Sequence, residues 1–274
     1  MKKKTKLFHQ KVASYYQDPS KKKVAIVYVV VRLLVILCLI REILLGNYHN
    51  VFLCTVTLAL LFIPYFVDDK LNISLPSTLE VIILLFIFSA EILGEIQNFY
   101  GIFPKWDTLL HTINGFLAAA IGFSLIDILN RTERFHIKMT PIFVALVSFC
   151  FSMTVGVVWE FFEYASDRLT DADMQKDTLV TTISSVDFEG TKPNVPKVIK
   201  GVEETIIRYD NGQEEIIHNG YLDLGNIDTM EDLLVNFIGA VTFSVLGFFY
   251  IKDRDDYRIV ERFLLRKKVK KKSD

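Results

Sequence analysis

The chain is 274 residues long, 51% hydrophobic and 23% charged, with a formal net charge of −1. Its 22 Phe and most of its Leu, Ile and Val gather in runs about as long as a bilayer's hydrocarbon core is thick, which excludes a soluble enzyme. The small net charge hides segregation, with lysines at both ends and acids in one internal loop.

Six membrane helices are expected in chain order: Val24–Leu45, Val51–Val67, Leu79–Ile96, Thr108–Leu129, Pro141–Phe162 and Leu233–Ile251. A five-span count would drop the first, which Arg32 interrupts, or the short third. Arg32 and the absence of a small-residue cleavage site predict an uncleaved anchor rather than a signal peptide. Lysines crowd the segment before the first span (Lys2 to Lys23) and the tail after the last (Lys267 to Lys272), and Arg131, Arg134 and Lys138 lie in the fourth-to-fifth loop. The positive-inside rule therefore places both termini in the cytoplasm and the acidic loop after Glu163 outside. Trp106, Trp159, Phe99, Tyr100 and Tyr164 fall at the expected outer ends, as an interfacial aromatic belt does. Phe8, Val12 and Tyr15 are spaced to lay the N-terminal segment along the membrane surface. The basic ends read as partners for anionic lipid headgroups, at about 1 kcal/mol per charge, not for nucleic acid. Cys38, Cys54 and Cys150 sit inside apolar runs and read as buried hydrophobes.

The expected class is an all-α polytopic membrane protein with a small extracytoplasmic β-rich insertion. It divides into a basic N-terminal segment (1–23), helices 1 to 5 (24–170), the insertion (171–226), helix 6 (227–251) and a basic tail (252–274). Within the insertion, Asp210-Asn211-Gly212 between Thr205–Tyr209 and Glu214–His218 signals a β-hairpin, and Thr178–Val186 is β-branched. About three strands are expected there.

The polar residues that carry chemistry cluster at the expected outer ends of four helices. They are Glu91 and Glu95; Asp107 and His111, on a stripe with Gly115; Glu160, Glu163 and Asp167, with Ser152 and Gly156; and Asp228, Asp232 and Asn236, ahead of Gly239. Small residues on such stripes let helix backbones approach closely. Asp107 and Asp228 have an alternative reading as helix N-caps. Glu91, Glu160 and Glu163 do not, because the macrodipole disfavours negative charge near helix C-termini. Carboxylates in such number converge only if some are protonated or a cation lies among them. Glu91, His111, Glu160, Glu163 and Asp232 are the expected metal ligands. The oxygen-rich set suits Mg²⁺, Mn²⁺, Zn²⁺ or Fe²⁺. Asp107 and Asp228 are expected to orient ligands or act as a base, and Asn236 to hydrogen-bond substrate.

Across Trp106-Asp107…His111…Gly115, Trp159-Glu160…Glu163, Gln175…Asp177 and Asp228-Thr229…Asp232…Asn236…Gly239, the chain resembles the YjdF-like family of bacterial membrane proteins. It is more distantly similar to VanZ-like proteins, a family linked to glycopeptide-antibiotic resistance. Glu163 stands where that second pattern has Gln. The resemblance implies a bacterial multi-pass protein of the cell membrane and supplies no activity. The residues leave three functions open. These are a metal-dependent membrane hydrolase or transferase on a lipid-linked or envelope substrate, a non-catalytic scaffold that docks a partner, and a cation-binding transporter.

Overall fold

A computed structural model describes residues 19–70, 73–130, 139–170, 172–188, 190 and 192–267. The amphipathic stretch around Val12, the basic loop of Arg131, Arg134 and Lys138, and the lysines beyond Lys267 lie outside the described residues. Two compact units are present: Met1–Val155 with Val235–Asp274, and Gly156–Leu234.

The first unit is mainly helical. Helix α1 (Pro19–Leu45) ends where Gly46 adopts φ 71° and Asn47 N–H returns to the Glu42 carbonyl, a left-handed stop that glycine takes at little cost. The Asn47 side chain then caps α2 (Tyr48–Leu60), which passes through a tight turn into α3 (Ile63–Lys70). Helix α4 (Ser77–Phe88) continues without a break into a π-helical stretch, Ser89–Ile96, closed by the Gln97 N–H on the Ile92 carbonyl and by left-handed Asn98. The expected third span is therefore part α and part π. One turn, α5 (Phe99–Ile102), leads to α6 (Trp106–Asn130). Helices α7 (Pro141–Thr170) and α8 (Asn226–Lys252) complete the long elements.

Among the described residues five helices are long and apolar enough to cross a membrane: Lys21–Leu45, Tyr48–Asp68, Trp106–Asn130, Pro141–Thr170 and Asn226–Lys252. Only 22 to 50% of their most apolar windows is covered by protein, leaving side chains such as Leu34, Phe52, Leu146 and Ile238 exposed. Faces so apolar match lipid, not water. The fold is that of a helical polytopic membrane protein.

Where α6 meets its neighbours, the packing is at backbone distance. A Cβ on Gly115 would overlap the Asn236 carbonyl, and one on Gly239 would overlap that of Thr112. The hydroxyls of Ser152 and Ser148 donate to the Gly115 and Ala119 carbonyls, each at 2.7 Å. Phe123, Val144, Phe243 and Tyr250 fill the core beside this seam.

Among the described residues the second unit carries six short strands in three two-stranded antiparallel ribbons, against the three or so expected. They pair β2 (Leu179–Val180) with β7 (Tyr221–Leu222), β3 (Thr182–Ser185) with β4 (Lys197–Lys200), and β5 (Glu204–Arg208) with β6 (Glu214–His218). The last ribbon is the Asn-Gly hairpin, with Gly212 at φ 83°.

Candidate functional site

Two residues one turn apart on α7, Glu160 and Glu163, share a face with each other, and Asp232 comes from the first turns of α8. All three are buried, 4%, 7% and 4% exposed. One ligand oxygen from each lies within 4.8 Å of the others. Trp159, one turn before Glu163, donates its indole N–H to Glu163 Oε1 at 2.8 Å and fixes that carboxylate's orientation.

The surrounding loop is clamped by further carboxylates. Asp167 accepts the backbone N–H groups of Met174 (2.6 Å) and Gln175 (2.9 Å). Asp228 Oδ2 accepts the Lys176 N–H at 2.9 Å, and the Gln175 side-chain amide donates to the Thr229 hydroxyl. Asp223 accepts the Thr178 and Ile227 N–H groups, both at 2.7 Å. Helix α8 starts at Asn226, so Asp228 lies inside its first turn and Asp223 performs the capping expected of Asp228.

In the first unit, Asp107 Oδ1 lies 3.5 Å from His111 Nε2, the i, i+4 pair read from the sequence. Trp106 anchors the start of that helix by donating to the Ser89 carbonyl at 3.3 Å. Glu91 is half-buried on the π-helical stretch, with Glu95 on the same stretch. Asn236, 1% exposed, joins helices: Oδ1 accepts from Asn114 at 3.3 Å and Nδ2 donates to the Ser152 carbonyl at 3.5 Å. Asn114 was not among the residues read from the sequence; its signal there was a polar side chain three residues after His111 on the same helix.

Three buried carboxylates at this separation repel one another unless protons or a cation compensate. The donor set is hard oxygen without thiol or thioether. It fits a divalent cation of the Mg²⁺ or Mn²⁺ type better than a thiolate-seeking metal.

The fold and these buried carboxylates define a polytopic membrane protein with an acidic cluster inside it. Comparison with known families narrows this further. The model of the family described as "Predicted membrane protein (DUF2238)" matches residues 25–253, and the chain belongs to that family. A relative described as an uncharacterized protein, from Thermotoga maritima, is 27% identical over 126 residues. The match takes in 44% of this chain and 63% of that relative. No solved structure matches.

Proposed function

We propose that Glu160, Glu163 and Asp232 hold a divalent cation and that the protein is a cation-dependent hydrolase or transferase of the cell membrane, acting on a lipid-linked or envelope substrate. The observation that carries this reading is the gathering of three buried carboxylates within 4.8 Å. Ionisable groups buried in membrane helices are costly to keep and mark function more often than packing. A bound divalent cation would polarise a phosphoryl or carbonyl oxygen and lower the pKa of its water. Glu160, Glu163 and Asp232 supply the negative charge, and Trp159 orients Glu163. This set is sufficient without His111 and Glu91, which the first unit carries. The YjdF-like resemblance agrees with the family, and the VanZ-like one adds nothing to the chemistry. Loop charge supports a cytoplasmic position for both termini.

The test is the metal content of detergent-purified protein, wild type and Glu160→Gln, after dialysis against Mg²⁺ or Mn²⁺. Retained cation in the wild type that falls in Glu160→Gln supports the reading. Equal metal in both would remove the cation and leave the scaffold reading in its place. Hydrolysis of a lipid-linked phosphate by the loaded protein, absent in Glu160→Gln, then separates enzyme from carrier.

A further inference from the structure

The C-terminal ends of α6 and α8 hold a polar feature built entirely from the first unit. A cavity of about 570 Å³ opens between the last turns of these helices and the segment that follows α8. Its volume lies in the range of small-ligand sites, roughly 300–1,000 Å³. Its polar wall is Asp127, Arg254, Glu261, Arg266 and Lys267, with the Tyr250 ring between them. Ile128, Leu264 and Leu265 form the apolar wall.

The segment that completes this cavity is held in place at several points. A 3₁₀ turn, Arg258–Arg262, buries Val260. Leu264 and Leu265 are buried behind it, and the Leu265 N–H donates to the Ser124 hydroxyl at 2.9 Å. Strand β8 (Arg266–Lys267) then pairs antiparallel with β1 (Ile73–Ser74). The cations are therefore carried on fixed backbone and not on a loose tail.

Two of the three cations sit in ion pairs. Arg254 Nη2 lies 3.5 Å from Asp127, and Arg266 Nη2 lies 2.9 Å from Glu261, whose other oxygen accepts from the Tyr250 hydroxyl at 3.4 Å. Each guanidinium uses one nitrogen in these pairs and keeps other N–H donors for a second acceptor. Among the described residues Lys267 is in no ion pair. Among the described residues the wall has three basic groups and two carboxylates. Forked guanidinium donors and a lysine beside an apolar wall match a phosphate oxyanion attached to an apolar or glycerol body. Loop charge also puts this end of the helices on the anionic, cytoplasmic leaflet.

We infer that this cavity binds a phosphate-bearing ligand through Arg254, Arg266 and Lys267, the phosphate being that of an anionic lipid headgroup or of a small soluble ester. The inference is independent of the carboxylate cluster and survives its failure.

The full chain is reconstituted in phosphatidylcholine nanodiscs with and without phosphatidylglycerol, and separately titrated in neutral detergent with glycerol phosphate. Thermal unfolding and lipid retention by native mass spectrometry are the readouts. Lys267→Gln and Arg266→Gln test the site, and Lys200→Gln on β4 is the control. Lys267→Gln removes no described ion pair, so its fold should stand even if Arg266→Gln fails to fold. A Tm rise with phosphatidylglycerol that survives in Lys200→Gln, and affinity about tenfold weaker in Lys267→Gln, supports the lipid source. The same pattern with glycerol phosphate in neutral detergent supports the soluble source. Absence of any shift with either ligand, or identical shifts in wild type and Lys267→Gln, overturns the inference.

Discussion

At the scale of single residues, the carboxylates of the second unit divide into those that hold backbone and those that gather with one another. Asp167, Asp223 and Asp228 accept backbone N–H groups, whereas Glu160, Glu163 and Asp232 converge. Asp177, exposed over much of its surface, is pushed above the ordinary carboxylate range by the part that is covered and by the charges of Asp173, Asp223 and Asp167. An acid raised in the folded state favours folding fully below its unfolded pKa, near 3.9, and loses that contribution as pH rises through the folded value. Asp177→Asn should therefore raise Tm at pH 7 and change it little at pH 3.5, measured by thermal unfolding at both. A gain at pH 3.5 equal to that at pH 7 would show that charge is not the cause. Pairs one helical turn apart on a single helix, such as Asp107 with His111 and Glu160 with Glu163, were legible in the sequence because helical spacing alone brings them together. The backbone duties of Asp228 and Asp223 were not. They depend on where α8 starts: it begins at Asn226, and only a start at Thr229 would make Asp228 its N-cap.

At the scale of elements, the seam between α6, α7 and α8 follows from glycine and serine at helical spacing. Gly115→Leu or Gly239→Leu places a side chain against a carbonyl oxygen of the facing helix and should cost at least the roughly 1–3 kcal/mol of ordinary overpacking. Val245 is 47% exposed, so Val245→Leu should leave Tm nearly unchanged. Ile113 would be a poorer control, because it packs against the cluster of Leu79, Leu117 and Leu265. Unfolding in detergent compares the variants, and equal tolerance at Gly239 and Val245 would remove the seam from the account. Small residues one turn apart are visible to a sequence reader. The π-helical stretch Ser89–Ile96 is not, because eight residues do not separate a period of 3.6 from a slightly longer one. The Asn-Gly hairpin was legible through its turn chemistry. The pairings β2 with β7 and β3 with β4 were not, since two to four residues without apolar alternation carry no register.

At the scale of the whole molecule, the membrane class was legible because runs of apolar residues reach bilayer length, and protein covers no more than 50% of each most apolar window. Loop charge supports the proposed orientation, and it has a direct test: cysteine introduced at Gly212 should react with an impermeant reagent from outside intact cells, and a reporter fused after Asp274 should work only in the cytoplasm. Labelling of Gly212→Cys from the cytoplasmic side alone would invert the topology. On the proposed reading the carboxylate cluster is coupled to the stability of the whole chain, because a cation bound only by the folded state would stabilise it by about 2.7 kcal/mol at a hundredfold excess over Kd. The most direct test is therefore thermal unfolding of chelator-treated protein, wild type and Glu160→Gln, against rising Mg²⁺ or Mn²⁺. The account predicts a concentration-dependent rise in wild-type Tm, a weaker rise in Glu160→Gln, and a cation-free Glu160→Gln at least as stable as cation-free wild type because one repelling charge is gone. Unfolding that ignores both cations, with Glu160→Gln indistinguishable from wild type, would contradict it.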